Sequence, residues 1–220
     1  MKKDAKSQSS DFLTVEAYKL ARTNISLSVF KQGCKRILFT SAQANEGKTT
    51  TVCNIAAAFS KQVNTRVLLI DCDLRKPSVS KFFRLSNVPG VTNYLSGMCE
   101  LDAIIQNVPN TELSVITAGL IPPNPSELLT SAAFSQMLDM LSTQFDYILI
   151  DTSPVNVVVD AVPVAKQCDG TVLVVYENKT NYQDLDRAVQ SLKRVDAHIL
   201  GFVLNASRLN NKSYKQTCRR

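Results

Sequence analysis

The chain has no CxxC pair among its six cysteines, and its single histidine, His198, has no cysteine near it in sequence. Zinc-binding spacing is therefore absent, and Cys34, Cys53, Cys72, Cys99, Cys168 and Cys218 read as reduced, packed thiols. No window reaches the roughly 18 apolar residues that a spanning helix needs. The polar opening Met-Lys-Lys-Asp-Ala-Lys-Ser-Gln-Ser-Ser leads into no apolar signal core. A cytoplasmic chain is expected, at a membrane only where a partner holds it. A basic groove is missing as well. The formal charge is +6, but residues 1–10 hold three lysines against Asp4, and residues 207–220 hold Arg208, Lys212, Lys215, Arg219 and Arg220 with no acid, which leaves the body at about −1. Basic segments interleaved with aromatics are lacking too, so nucleic acid is not an expected partner.

What is present fits one large domain, since 220 residues at 45% hydrophobic content can sustain a core without metal or disulfide help. Apolar, β-branched runs recur at 36–40, 66–70, 113–117, 147–150, 171–176 and 200–204. Each is continuous rather than alternating, which predicts strands buried on both faces of a parallel sheet. Helical patterns lie between them at 49–61, 131–144, 160–167 and 182–195, so the expected fold is α/β, a doubly wound, mostly parallel sheet flanked by helices. Residues 11–30 read as an amphipathic helix ahead of the first strand, with Leu13, Tyr18 and Ile25 among its apolar positions.

Three loops at strand ends carry the chemistry. The first, Ser41-Ala42-Gln43-Ala44-Asn45-Glu46-Gly47-Lys48-Thr49-Thr50, joins a strand to a helix, the context a phosphate cradle requires. In that geometry backbone N–H groups face the phosphates, Lys48 reaches the β- and γ-phosphates, and the Thr49 hydroxyl binds Mg²⁺. Ala42 stands where the usual pattern begins with glycine, and Gly-Lys-Thr-Thr alone also reads as an ordinary helix start. The second loop, Asp71-Cys72-Asp73-Leu74-Arg75-Lys76-Pro77, brings two carboxylates to the carboxyl edge of a strand, where open α/β sheets bind ligands. The third begins Asp151-Thr152-Ser153-Pro154, and its aspartate is expected at Mg²⁺. A lone strand-end aspartate is usually a turn or cap residue, but three such loops in this order argue for one site.

These residues resemble the bacterial tyrosine kinases, within the deviant Walker P-loop ATPases that include MinD and ParA. The likeness runs from Glu16 to about Asn205. Its most specific stretch is Ile121-Pro122-Pro123-Asn124-Pro125-Ser126-Glu127-Leu128-Leu129, with Val67 to Pro77 similar to the family's Walker A′ motif and Tyr147 to Pro154 to its Walker B. The resemblance implies an ATP-dependent, autophosphorylating protein-tyrosine kinase that regulates capsular or exopolysaccharide production. The alternative is a non-catalytic or weakly hydrolytic ATP-dependent switch or positioning ATPase of the MinD and ParA type. Implied catalytic residues are Lys48, Asp71, Asp73 and Asp151, with Asp71 activating the tyrosine hydroxyl. Ala44, Asn45, Glu46, Gly47, Lys48, Thr49, Thr50 and Asn205 are implied to bind ATP, and Thr49, Asp73 and Asp151 to bind Mg²⁺.

The MinD and ParA proteins place a second lysine where this chain has Gln43, and the kinases lack it, which favours the kinase branch. Against the kinase pattern Ser-x-x-Pro-Gly-Glu-Gly-Lys, the loop has Ala44 for proline and Asn45 for glycine; asparagine is the residue after glycine best able to enter the left-handed region. Glu16, Lys19 and Arg22 resemble the family's Glu-x-x-Arg-x-x-Arg oligomerisation motif, which implies a ring or a dimer of copies, with lysine in place of the first arginine. The implied organisation is a single P-loop kinase domain over 1–220, with a tail and oligomerisation helix at 1–30 and a basic flexible tail at 206–220. That tail offers Tyr214 as the phosphoacceptor. The implied partners are a membrane-embedded polysaccharide co-polymerase or activator adaptor, other copies of the chain, and tyrosine-containing protein substrates. The chain would then sit peripherally at the inner face of the cell membrane.

Overall fold

The computed structural model describes the backbone of residues 2–206 and the side chains of residues 12–206. Tyr214 and the basic tail after Ala206 lie outside the described residues. In chain order the elements are α1 (Lys2–Ser28), β1 (Lys35–Ser41), α2 (Lys48–Phe59), β2 (Val67–Cys72), α3 (Val79–Phe83) and α4 (Val91–Leu95). They continue with β3 (Ile105–Asn107), β4 (Leu113–Ile116), α5 (Pro125–Thr130), α6 (Ala132–Ser142), β5 (Tyr147–Thr152), α7 (Ala161–Ala165), β6 (Gly170–Tyr176), α8 (Tyr182–Lys193) and β7 (Ile199–Asn205). The strands form one sheet in the order β3-β4-β2-β5-β1-β6-β7, parallel throughout except where β3 meets β4. The doubly wound expectation holds.

Alternation along each central strand explains why its sequence is apolar without a break. Leu38, Leu68, Ile70, Ile148, Ile150 and Leu173 enter one core with Phe134, Met137, Leu138 and Leu141 of α6, Val164 of α7 and Leu192 of α8. Their neighbours Ile37, Phe39, Val67, Leu69, Leu149 and Val174 enter the other, against Val52, Ile55 and Phe59 of α2 and Ile25 of α1. Successive side chains point to opposite faces, so a strand covered on both faces must be apolar at every position.

Three expectations need correction. The first helix begins at Lys2, inside the stretch read as a tail, because residues 2–10 contain neither glycine nor proline to stop it. The last strand is an edge, paired to β6, and it exposes Phe202 and Leu204 instead of burying both faces. The short antiparallel β3 had no signal, since three residues are too few to show a period. No described helix is long and apolar enough to cross a membrane.

Candidate nucleotide and phosphoryl-transfer site

The parallel register sets the three loops side by side at the carboxyl edge: Asp71 of β2 is the ladder partner of Asp151 of β5, and Asp151 is also the partner of Phe39 two residues before the cradle. The loop after β1 turns through Asn45 at φ 61, so asparagine does take the left-handed conformation. Gly47 follows at φ 83, and a Cβ there would lie 1.9 Å from Nδ2 of Asn205. The backbone conformation favours glycine at 47, and a side chain there would push the Asn205 amide out of place. Asn205 donates from Nδ2 to the Glu46 carbonyl (3.0 Å), so the end of β7 reaches the cradle. Glu46 is buried and braces the loop from within: its Oε2 accepts from Gln43 N–H (2.9 Å) and its Oε1 from the Thr180 hydroxyl.

A cavity of about 440 Å³ opens over this loop, lined among others by Ala44 to Thr50, Asp73 and Ser153. Among the described residues no hydrogen bond takes the backbone N–H groups of residues 44–50. Gly47 caps α2 without a side-chain acceptor, so the positive end of a 12-residue helix faces the same space. Unpaired N–H groups lining a cavity at a helix start suit an anion such as a nucleotide phosphate.

Lys48 is buried with its ammonium 3.0 Å from Asp73 Oδ2 and 3.4 Å from Asp151 Oδ1. Burial works against its charge, but Asp151 and Asp73 outweigh that and raise its pKa. The Thr49 hydroxyl donates to Asp151 Oδ2 (2.6 Å), and Asp73 Oδ1 accepts from the Ser153 hydroxyl (2.9 Å). Asp151 is fully buried and its Oδ1 makes no hydrogen bond; burial raises its pKa, against the opposing pull of Lys48 and Thr49. The Thr49 hydroxyl and the Asp73 and Asp151 carboxylates, with Asp151 Oδ1 met by the Lys48 ammonium at 3.4 Å, are the hard oxygen donors that Mg²⁺ prefers. Among the described residues no three His, Cys, Asp or Glu side chains form a closed cage. Mg²⁺ usually takes one or two carboxylates and completes its shell with phosphates and water. Thr49, Asp73 and Asp151 would hold it.

Asp71, like Asp151, is fully buried and absent from the cavity wall, which Asp73 lines. Its Oδ1 accepts from Asp73 N–H (3.1 Å) and its Oδ2 from Ser78 N–H (3.1 Å) and Val79 N–H (3.0 Å). Burial, then the nearby Asp151 carboxylate, pushes its pKa up to about 7 despite those bonds. The assigned oligomerisation residues also divide. Lys19 pairs with Glu16 within α1 (2.6 Å), whereas Arg22 turns inward and donates to the Ala58 carbonyl near the end of α2 (3.2 Å).

Several residues that sequence reasoning passed over complete the site. Arg75 reaches the fully buried Asp160 through Nε (2.7 Å) and Nη2 (3.2 Å), and Ser126 donates to the same carboxylate (2.5 Å). This node joins the loop after β2, the first turn of α5 and the start of α7. Arg75→Met would leave Asp160 buried with a hydroxyl as its remaining partner, and an expected loss of about 1–3 kcal/mol follows, less than for a fully buried pair because Arg75 is half exposed. Thermal melting of the variant checks it; an unchanged melting temperature would show that Ser126 alone satisfies Asp160. Ser78, Ser153, Lys179 and Thr180 likewise touch the cradle or its carboxylates. The first two stand within or just after the motif loops, but no spacing rule points to the last two.

A parallel sheet of this order, with a phosphate cradle and strand-end carboxylates on its carboxyl edge, defines a P-loop ATPase fold. Residues 34–200 match the AAA domain family. The MinC:MinD cell division protein complex of Aquifex aeolicus superposes with a TM-score of 0.66 at 22% identity, covering 83% of this chain and 72% of that one, a likeness of fold alone. Nearer matches include a kinase. Tyrosine-protein kinase YwqD of Bacillus subtilis (strain 168) is 36% identical over 201 residues, 91% of this chain and 84% of that protein. The chimerical protein CapA2B2 superposes with a TM-score of 0.82 at 33% identity, covering 87% and 84% of the two chains. The chain belongs to the bacterial tyrosine kinase family.

Proposed function

We propose that this chain transfers the γ-phosphoryl group of ATP to tyrosine hydroxyls, its own and those of other proteins, in the control of capsular or exopolysaccharide synthesis. The observation that carries the reading is the convergence of an unpaired N–H cradle, the Lys48 ammonium and the Asp71, Asp73 and Asp151 carboxylates at one sheet edge. When bound, Mg²⁺ supplies charge neutralisation at the phosphates. Lys48 then turns from Asp73 and Asp151 toward the β- and γ-phosphates, the cradle N–H groups hold them in place, and Asp71 takes the proton of the attacking hydroxyl. Gln43 supports a kinase over a positioning ATPase, because a neutral amide supplies no cation to a partner copy's nucleotide.

The same reading places the chain at the inner face of the membrane through an adaptor whose cytoplasmic segment activates it, and in a ring or dimer organised by Glu16, Lys19 and Arg22. Tyr214 is the proposed acceptor, served by a neighbouring copy. The experiment incubates purified protein with ATP and Mg²⁺, with and without the adaptor's cytoplasmic segment, and maps phosphotyrosine by mass spectrometry. An Asp71→Asn chain that keeps Tyr214 is then mixed with an active chain carrying Tyr214→Phe. Phosphate on Tyr214 of the inactive chain is the expected result. ATP turnover without phosphotyrosine would replace the kinase reading with an ATP-driven switch, and phosphate on Tyr18 or Tyr182 with Tyr214 bare would end the tail-exchange scheme.

A further inference from the structure

Lys179 lies in the turn between β6 and α8, far in sequence from the cradle, yet its ammonium donates to the carbonyls of Ala44 (3.1 Å) and Asn45 (2.9 Å). These are the two residues at which the loop departs from the Pro-Gly of the kinase pattern. The ammonium also sits 5.6 Å from the centre of the Tyr176 ring, and the adjoining Thr180 hydroxyl donates to Glu46 of the same loop. The turn after β6 therefore grips the outer side of the cradle at two consecutive residues.

A peptide unit links each carbonyl to the next residue's N–H. The carbonyls of Ala44 and Asn45 belong to the units that present the N–H groups of Asn45 and Glu46, neither of which is hydrogen-bonded among the described residues. A cation on the carbonyl end polarises the unit and makes its N–H end a stronger donor. It also fixes the plane of a loop that has lost the stiffness of proline at 44. We propose that Lys179 is a positioning residue for nucleotide, which strengthens and orients the Asn45 and Glu46 N–H groups toward phosphate by holding the carbonyls behind them. It supplies, from behind the loop, positive charge that Gln43 does not supply within it. The inference rests on the reading of the cradle as an ATP site.

The test titrates a fluorescent N-methylanthraniloyl ATP analogue with Mg²⁺ into the wild type, Lys179→Gln and Lys179→Arg. Glutamine keeps a donor and removes the charge, while arginine keeps both. Lys179→Gln is expected to weaken binding about tenfold, in line with a charge-assisted hydrogen bond, and Lys179→Arg less than about threefold. For tyrosine phosphorylation the loss should fall on KM for ATP, with kcat at saturation held within about twofold. In the nucleotide-free protein the Asn45 and Glu46 amide protons should move upfield in Lys179→Gln and stay near their wild-type positions in Lys179→Arg. Lys179 is exposed, so the glutamine variant should melt close to the wild type. Wild-type affinity in Lys179→Gln would overturn the proposal, and so would an arginine variant as weak as the glutamine one. A wild-type chain that binds no analogue would remove the ATP reading and the proposal together.

Discussion

Lys48→Met is expected to bind no ATP and also to melt well below the wild type at neutral pH. A lysine on an open loop would be lost without cost to the fold, but this one is buried between Asp73 and Asp151 and lowers the electrostatic cost of Asp71 beneath them. Removing one partner of a buried ion pair leaves uncompensated charge. The expected cost is about 3 kcal/mol, or roughly 6–12 °C in a domain of this size. The pH dependence has a definite sign. Lys48 has a raised pKa, so its stabilising contribution is complete at pH 7 and fades only as pH climbs through that raised value. Without it, Asp71 and Asp151, already raised, rise further, and the folded state binds more protons than the unfolded one between the ordinary carboxylate range and those raised values. The variant should therefore regain stability as pH falls from 7 toward about 5. Melting curves at both pH values, with ATP titrations, check it. Equal melting temperatures for variant and wild type at pH 7 would mean that the three carboxylates do not depend on Lys48.

Asp71→Asn should lower phosphoryl transfer by about 10²–10⁴-fold while nucleotide affinity changes less than about threefold. An amide oxygen can still accept from Ser78 and Val79, but the amide cannot take a proton from an incoming hydroxyl. A pKa pushed up to about 7 is suited to a base that works near neutrality. The buried position sets a condition: a tyrosine hydroxyl reaches Oδ2 only by displacing one of the Ser78 or Val79 N–H groups. The check is single-turnover transfer beside ATP binding. Transfer that survives in a folded, ATP-binding variant would make Asp71 an anchor for the loop after β2 and move proton acceptance elsewhere, with Asp73 the carboxylate on the cavity wall. Loss of binding equal to the loss of transfer would make Asp71 a metal or nucleotide residue first.

Much of this site is legible in the sequence because strand ends and loop residues are local. Continuous apolar runs announced the central strands, and the first polar residues after them are the carboxylates of the site. The left-handed turn at Asn45 was readable because few other residues tolerate it. Long-range partners were not readable. Nothing near Lys179 or Asp160 in sequence marks a reach to residues 44–45 or to Arg75, since those contacts arise only when β6 lies beside β1 and α7 follows β5. The inward turn of Arg22 was hidden for a similar reason: a three-residue spacing puts Glu16, Lys19 and Arg22 along one side of a helix, but α2 covers that side at Arg22 and leaves it open at Lys19.

The ladder pairing of Asp71 with Asp151 bears on which length changes this protein can survive. The loops after β1, β2 and β5 are themselves tied down, by Asn205 on Glu46, Arg75 on Asp160 and Ser153 on Asp73. A single residue added within β2 or β5 would turn every later side chain of that strand to the opposite face, sending the aspartate toward the other hydrophobic layer and putting Ile70 or Ile150 in its place. Among descendants of this sequence, insertions and deletions should therefore collect in connections away from the site and be purged from the two central strands. The spacing from the first apolar residue of each strand to its aspartate, Val67 to Asp71 and Tyr147 to Asp151, is then the part of the chain least free to drift in length.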